Sequence, residues 1–392
     1  MTRSTQKLLL ACILIAAAVG IACGDLTPNP VAPFEVTPDS LRVSASARWN
    51  QRAVALVVAR QPTSNGQAAV SRILTYLSIA QLRAVAAAQS RAGEAAPPSI
   101  PAAVGGASVA VLNAFFPLDV ATTEAALTAD RALPALPSQA KDDLAAGETL
   151  GRAVGVAAMT QAASDNYLTA SPGAPPVGAD KWVSSSAAVV RSVYGTRPFF
   201  LSSPGQVRAP APPAVGSAAF LTALAEVRQI ADTRTAAQTA TAISWNTNSG
   251  TFTAGALNLI ADSLIRQNHP TELEAARILA VANAAAFDAQ IACWDSKFTY
   301  WYPRPTQADS KITMAIALPN HPSYPSGHSC MTGAFFGVVA AALPKEKAKL
   351  DALVEEAGMS RVYGGIHFRF DCDAGRDMGR AVAAIALTGS LN

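Results

Sequence analysis

The sequence predicts an all-α protein built from packed helical bundles. Three observations carry that reading. Alanine dominates many segments, and it is the strongest helix former. Apolar residues recur at three- and four-residue intervals from about residue 47 onward. Runs of β-branched or aromatic residues with a period of two are scarce. Half of the 392 residues (50%) are hydrophobic and only 15% are charged, which suffices for a large core in one elaborated domain or two.

In chain order, residues 1–23, "MTRSTQKLLLACILIAAAVGIAC", read as an export signal. Arg3 and Lys7 precede an apolar stretch of signal length that ends on small residues. Gly20-Ile21-Ala22 before Cys23 resembles a bacterial lipoprotein signal, which makes Cys23 a candidate lipidation site; simple cleavage near Ala22 is the alternative. Residues 24–44 form a Pro-rich tether. The expected location is therefore outside the cytoplasm, periplasmic or at the cell surface, with membrane contact only through an N-terminal lipid.

An N-terminal helical region is expected over 45–195. "WNQRAVALVVARQ", "ILTYLSIAQLRAVAAAQSRA" and "TLGRAVGVAAMTQAASDNY" carry its helical spacing, and "APPSIPAAVGG", 96–106, reads as a loop on its prolines and glycines. A Pro-rich connection, 196–215, leads to a catalytic helical bundle, 216–392. There "SAAFLTALAEVRQIADTRTAAQTATAISW" repeats the helical spacing. "TELEAARILAVANAAAFDAQIACWDSKF" is the longest candidate, with Thr271 as N-cap and Glu274 completing a capping box. After the signal, no uncharged apolar run approaches the ~20 residues that span a bilayer.

Composition excludes several classes. A net charge of +3 with no Lys/Arg-rich block gives no electrostatic support for nucleic-acid binding. Beyond Cys12 and Cys23, three cysteines remain: Cys293, Cys330 and Cys372. Their number is odd and their spacing suggests no metal site, so they are expected to pack as small hydrophobes. "GRDMGR", 375–380, follows no strand and is not a nucleotide loop. His269 reads as a loop residue, and Tyr300, Trp301 and Tyr302 as packing residues.

Chemistry concentrates between residues 297 and 371. "HPSYPSGHSCMTGAFF", 321–336, sets prolines, a serine, a glycine and two histidines ahead of an apolar helix expected to reach about Leu343. Lys297, Arg304 and Arg361 are three cations in flanking segments. Two like charges ~4 Å apart repel by about 4 kcal/mol at an effective dielectric near 20, and an oxyanion between them removes that cost. Ser326 and the Gly327 amide add donors at the start of the helix, where N–H groups are free. Of the four histidines, His328 and His367 remain for bonding the anion's central atom or moving protons at its edge.

These residues also match a known pattern: Lys297, six residues, Arg304-Pro305; Pro325-Ser326-Gly327-His328; Ser360-Arg361, five residues, His367, three residues, Asp371. That pattern resembles the three-part signature of the vanadium-dependent haloperoxidase and type 2 phosphatidic acid phosphatase superfamily, and in particular secreted bacterial haloperoxidase-like proteins. The resemblance implies helical bundles of the haloperoxidase/acid phosphatase type around one oxyanion pocket. In the haloperoxidase branch the cofactor is vanadate. His367 would bond vanadium, and Lys297, Arg304, Ser326, Gly327 and Arg361 would hold its oxygens. His328 would be the acid–base group and Lys297 would polarise bound peroxide. Asp371 would orient His367 or pair with Arg361. His321 and Trp294 occupy positions that face the halide, with His321 leaning towards bromide or iodide. Relatives are often dimers or larger, so a homo-oligomer is also implied.

In the phosphatase branch the same pocket holds phosphate, His367 attacks phosphorus and His328 protonates the leaving group. "FRFDCDAG" after His367 looks like the haloperoxidase form. The expected activity is therefore oxidation of halide by hydrogen peroxide. A soluble acid phosphatase acting on a phosphate ester through a phosphohistidine is the first alternative, and a non-catalytic phosphate or vanadate binder the second.

Overall fold

A computed structural model describes residues 44–61, 66–134, 139, 141–186 and 189–391. The export signal, Cys23 and all but the last residue of the tether lie outside them. Among the described residues the fold is helical, and the one β-type pairing is an isolated bridge between Pro98 and Asp143. Helices α1 (Ala45–Arg60), α2 (Gly66–Gln89), α3 (Ile100–Phe115), α4 (Val120–Arg131) and α5 (Leu144–Ala163) form the N-terminal half. After an irregular stretch come α6 (Ala218–Thr233), α7 (Ala236–Thr247), α8 (Phe252–Asn268) and α9 (Glu272–Tyr300). The last four are α10 (Pro305–Ala308), α11 (Gly327–Ala342), α12 (Lys347–Tyr363) and α13 (Arg369–Thr388).

Helix α9 is the shared wall of the molecule. Ala276, Ala280, Ala284, Phe287 and Ile291 pack into the core of the N-terminal half. Leu279, Ala282, Ala286, Ala289 and Cys293 pack into the core made with α8, α11 and α13. A helix apolar on every face must be buried on every face. The stretch Glu272–Ala308 has the length and hydropathy of a membrane span, but 89% of its apolar window is buried inside the protein. Thr271 caps α9, with the expected capping box to Glu274. The Glu272 carboxylate accepts from the Ala45 and Ser46 amides at 2.6 and 2.9 Å, which fastens the start of α1 to the start of α9.

One expectation is corrected. The stretch 96–106 is a loop only to Ser99, because α3 starts at Ile100 with Pro101 in its first turn, where a missing N–H costs nothing. Gly105 and Gly106 are interior helix positions: a Cβ on Gly106 would lie 2.4 Å from the Glu148 carbonyl oxygen of α5. The helical spacing over 217–245 is carried by two helices, since the chain turns at Arg234 and Thr235 opens α7 with its own capping box to Gln238.

The Pro-rich connection belongs to a longer irregular stretch between α5 and α6. Its ring-restricted backbone offers carbonyls without matching donors. Three tyrosine hydroxyls donate to them: Tyr300 to Ala209 O (2.6 Å), Tyr324 to Pro210 O (2.7 Å) and Tyr302 to Pro213 O (2.7 Å). Upstream, the Asp288 carboxylate of α9 accepts from the amides of Phe199, Phe200 and Leu201 at 2.7–3.0 Å. Burial still raises its pKa to about 7. The strap is thereby pinned along α9 behind the residues that form the site.

Candidate active site

Four helix ends converge on one cavity. Lys297 lies in the last turn of α9 and Arg361 in the last turn of α12, while Ser326 caps α11 and Arg304 precedes α10. His367 sits in the link before α13, and Asp371 in that helix's first turn. Glycines set the approach of α13 to α11. A Cβ on Gly375 would stand 2.6 Å from Ser326 O, and one on Gly379 would stand 2.3 Å from Cys330 O. This is the packing role of the "GRDMGR" glycines. The Ser326 amide donates to Asp371 O at 2.8 Å, locking the two helix starts together.

The cavity measures about 430 Å³. Trp294, His321, Gly327, His328, Arg361 and His367 line it, so six of the sequence-derived candidates share one space. Lys297, Arg304 and Ser326 lie in the layer behind that wall, all fully buried. Gly327 has a packing reason for lacking a side chain, because a Cβ there would meet the Trp294 ring at 3.1 Å. Trp294 in turn faces His321, with ring centroids 5.1 Å apart, so the two form one side of the cavity.

His367 is held by a buried pair. Its Nδ1 is 2.7 Å from Asp371 Oδ2, and that oxygen also accepts from Ser323 Oγ (2.5 Å) and the Phe368 amide (3.1 Å). A proton on Nδ1 satisfies the carboxylate and leaves Nε2 as an acceptor, which here takes a hydrogen bond from Arg304 and is the atom a ligand would compete for. Of the two roles expected for Asp371, orienting His367 is the one present. Arg304 Nη1 stands 3.0 Å from that Nε2 and donates to Ile366 O at 2.7 Å. Its other end donates to His321 O at 3.0 Å and reaches His321 Nδ1 at 3.1 Å. Arg361 donates to Ala242 O at 2.9 Å and to Ser360 Oγ at 3.0 Å. Lys297 Nζ donates to three carbonyls, of Pro322, Ser323 and Pro325, at 2.8, 2.7 and 2.5 Å. It thereby fixes the loop that delivers Ser326.

The electrostatics follow from burial. Burial lowers Lys297 to about 8, with Arg304 adding to the fall. Arg304 and Arg361 are each lowered to about 10, again first by burial. Burial, then Arg304 and Lys297, holds His367 well below the usual histidine range, and burial with Lys297 and Arg304 does the same to His321. His328 falls to about 3 through burial and Arg361. Asp371 rises to about 6 through burial. At neutral pH the site thus holds three neutral imidazoles, three cations and one carboxylate.

Vanadate fits this donor set. Buried cations outnumber the buried carboxylate by two, an excess that an oxyanion at His367 Nε2 would neutralise. A bare cation does not fit, since among the described residues no group of three or more His, Cys, Asp or Glu side chains could hold a metal ion. Cys293, Cys330 and Cys372 are buried free thiols, as expected of small packing residues.

Sequence reasoning missed the residues that complete the cavity. His328 Nε2 donates to Trp245 O (3.0 Å), with Thr253 Oγ1 at 3.2 Å. Asn246 Oδ1 lies 3.5 Å from Arg361 Nη1. Gln67, at the start of α2, lines the mouth, accepts from the Thr253 amide at 3.0 Å, and brings the N-terminal half into the site. The signal nearest to them was the Asn/Ser/Gly cluster in "WNTNSGTF", 245–252, which marks a turn but not what the turn faces.

Residues 275–391 match the family model described as the PAP2 superfamily. No curated protein matches the chain. Among solved structures, the chain is similar to the first bacterial vanadium-dependent iodoperoxidase: 20% identity, 92% of this chain, 98% of that one and a TM-score of 0.73. It is also similar to the apo form of a bacterial vanadium-dependent chloroperoxidase, at 16% identity, 83% and 94% coverage and a TM-score of 0.67. The holo form gives 14% identity, 83% and 91% coverage and a TM-score of 0.63. The helical haloperoxidase fold is therefore that of this chain, and its segment 275–391 carries the match to the PAP2 superfamily that the signature implied.

Proposed function

We propose that the protein is a vanadium-dependent haloperoxidase that oxidises bromide or iodide with hydrogen peroxide. The observation that carries this is His367. Its Nε2 lone pair is oriented by Asp371 and faces a cavity with a surplus of buried positive charge. His367 would hold vanadate through Nε2. Arg361 and the Gly327 amide would meet its oxygens from the cavity wall, with Arg304, Ser326 and Lys297 supporting from behind. Vanadate, when bound, supplies a Lewis-acidic centre that activates peroxide. His328 donates Nε2–H to Trp245 O, which leaves Nδ1 as the base that takes a proton from incoming peroxide. His321 and Trp294 form the candidate halide side.

The same pocket suits phosphate, and a phosphatase is the runner-up. That chemistry needs a protonated His328 to release an alcohol; burial and Arg361 lower its pKa to about 3, and the charge of a bound anion would act to raise it. The test is a side-by-side assay of the vanadate-loaded protein. Peroxide-dependent bromination of a phenol dye is expected, and His328→Ala should retain vanadate yet lose turnover. Rapid phosphate-ester hydrolysis without bromination would install the phosphatase instead, and unchanged vanadate binding with no turnover in the parent would leave a binder. Export and anchoring at Cys23 are part of the same proposal, and Cys23→Ser should move the full chain from the membrane to the soluble fraction.

A further inference from the structure

The haloperoxidase reading places a strong oxidant inside the cavity, and the cavity wall contains one thioether. Of six methionines in the chain, Met331 is the one among the lining residues. It follows His328 by three positions on α11, so both side chains sit on one face, a turn apart. Its exposure is only 2%, against 44% for Met314 on the surface. The sulfur already has a donor aimed at it. Gln67 Oε1 accepts from the Thr253 amide at 3.0 Å, so the orientation of this side-chain amide is set and its NH₂ group faces Met331 Sδ at 3.7 Å. A thioether is a weak acceptor and satisfies that N–H poorly, whereas a sulfoxide oxygen is a strong acceptor.

We propose that Met331 is an oxidative modification site, written by the hypohalous acid formed in the cavity and held in its oxidised form by Gln67. The inference rests on the haloperoxidase reading. The sulfur lone pair takes the halogen, water then attacks sulfur, and halide leaves. The sum is thioether plus hypohalous acid giving sulfoxide, halide and one proton. Sulfur loses two electrons and the halogen gains them. The new oxygen accepts a hydrogen bond from Gln67 Nε2 and places a dipole one turn from His328, where the thioether was apolar. The modification acts as a brake: an enzyme that makes oxidant faster than an acceptor removes it slows itself. Because methionine sulfoxide is enzymatically reducible, the brake can be released.

The experiment compares two sources of the same oxidant, reading oxygen addition at each methionine by peptide mass spectrometry. Dilute hypobromous acid added to the protein without vanadate should oxidise exposed Met314 ahead of Met331. Vanadate-loaded protein turning over peroxide and bromide, with no organic acceptor, should reverse that order. Met331→Leu should extend the number of turnovers before inactivation by about threefold or more, as expected if one polarity change at this wall is the limiting lesion. Turnover with Met314 still leading would overturn this inference alone. Absence of turnover would overturn the haloperoxidase reading and the inference with it.

Discussion

The two halves of the molecule treat buried positive charge in opposite ways. In the N-terminal half several arginines are neutralised by nearby carboxylates. Arg52 and Arg48 share Asp130, Arg60 forks onto Asp119, and Arg72 reaches Asp165 at 2.7 Å, where Tyr76 also donates. In the C-terminal half Lys297, Arg304 and Arg361 are buried more deeply, and most of their hydrogen bonds go to backbone carbonyls. Asp371, the carboxylate beside them, is committed to His367. Carbonyl dipoles satisfy the N–H groups but leave the net charge uncancelled. The comparison teaches that a self-neutralised cluster holds structure together, whereas an unneutralised one is prepared for an anion from outside.

The largest expected effect breaks the structural side. Asp165→Ala leaves Arg72 with the Ala162 carbonyl but strands the buried Tyr76 hydroxyl, and should cost about 3 kcal/mol in urea unfolding, the upper end for leaving a buried donor unpaired. Vanadate affinity in the surviving folded protein should not change. On the other side, His367→Ala removes the ligand atom, and vanadate retained in equilibrium dialysis should weaken by at least about 100-fold. Asp371→Asn disturbs only the tautomer and orientation and should stay within about 10–100-fold. Equal losses for the two would mean that Asp371 does more than orient. The smallest effect sharpens the charge argument. The Lys297 amine is charged below its folded pKa of about 8 and neutral above it, so anion affinity should be full below that pH. It should fall by at most about tenfold per pH unit above it. Lys297→Met should flatten that limb.

Much of the site was readable because its chemistry is carried by unusual residues at fixed spacing. Four histidines in the whole chain, and cations beside apolar runs, stand out against an alanine-rich background. Thr271 and Glu274 announced the start of α9 because capping is a local interaction. The start of α3 was misread for the converse reason. Pro101 and the Gly105-Gly106 pair look like loop residues until α5 is seen packed against them. The turn at Arg234–Thr235 was hidden because helical spacing continues on both sides of it. Gln67 and Thr253 had no signal of their own and Asn246 only that of a turn, since an amide or a hydroxyl is ordinary until something faces it.

By itself, then, the chain's pattern of residues determined the helical class, the signature's order and the likeness to the superfamily. Those depend on composition and on short-range spacing, which persist in any conformation. Only the tertiary structure decided that α9 serves two cores, that Asp371 serves His367 rather than Arg361, and that Lys297 spends its hydrogens on the 322–325 loop. Each of those is a choice among partners distant in sequence, and burial makes the choice by requiring every enclosed polar group to find a partner.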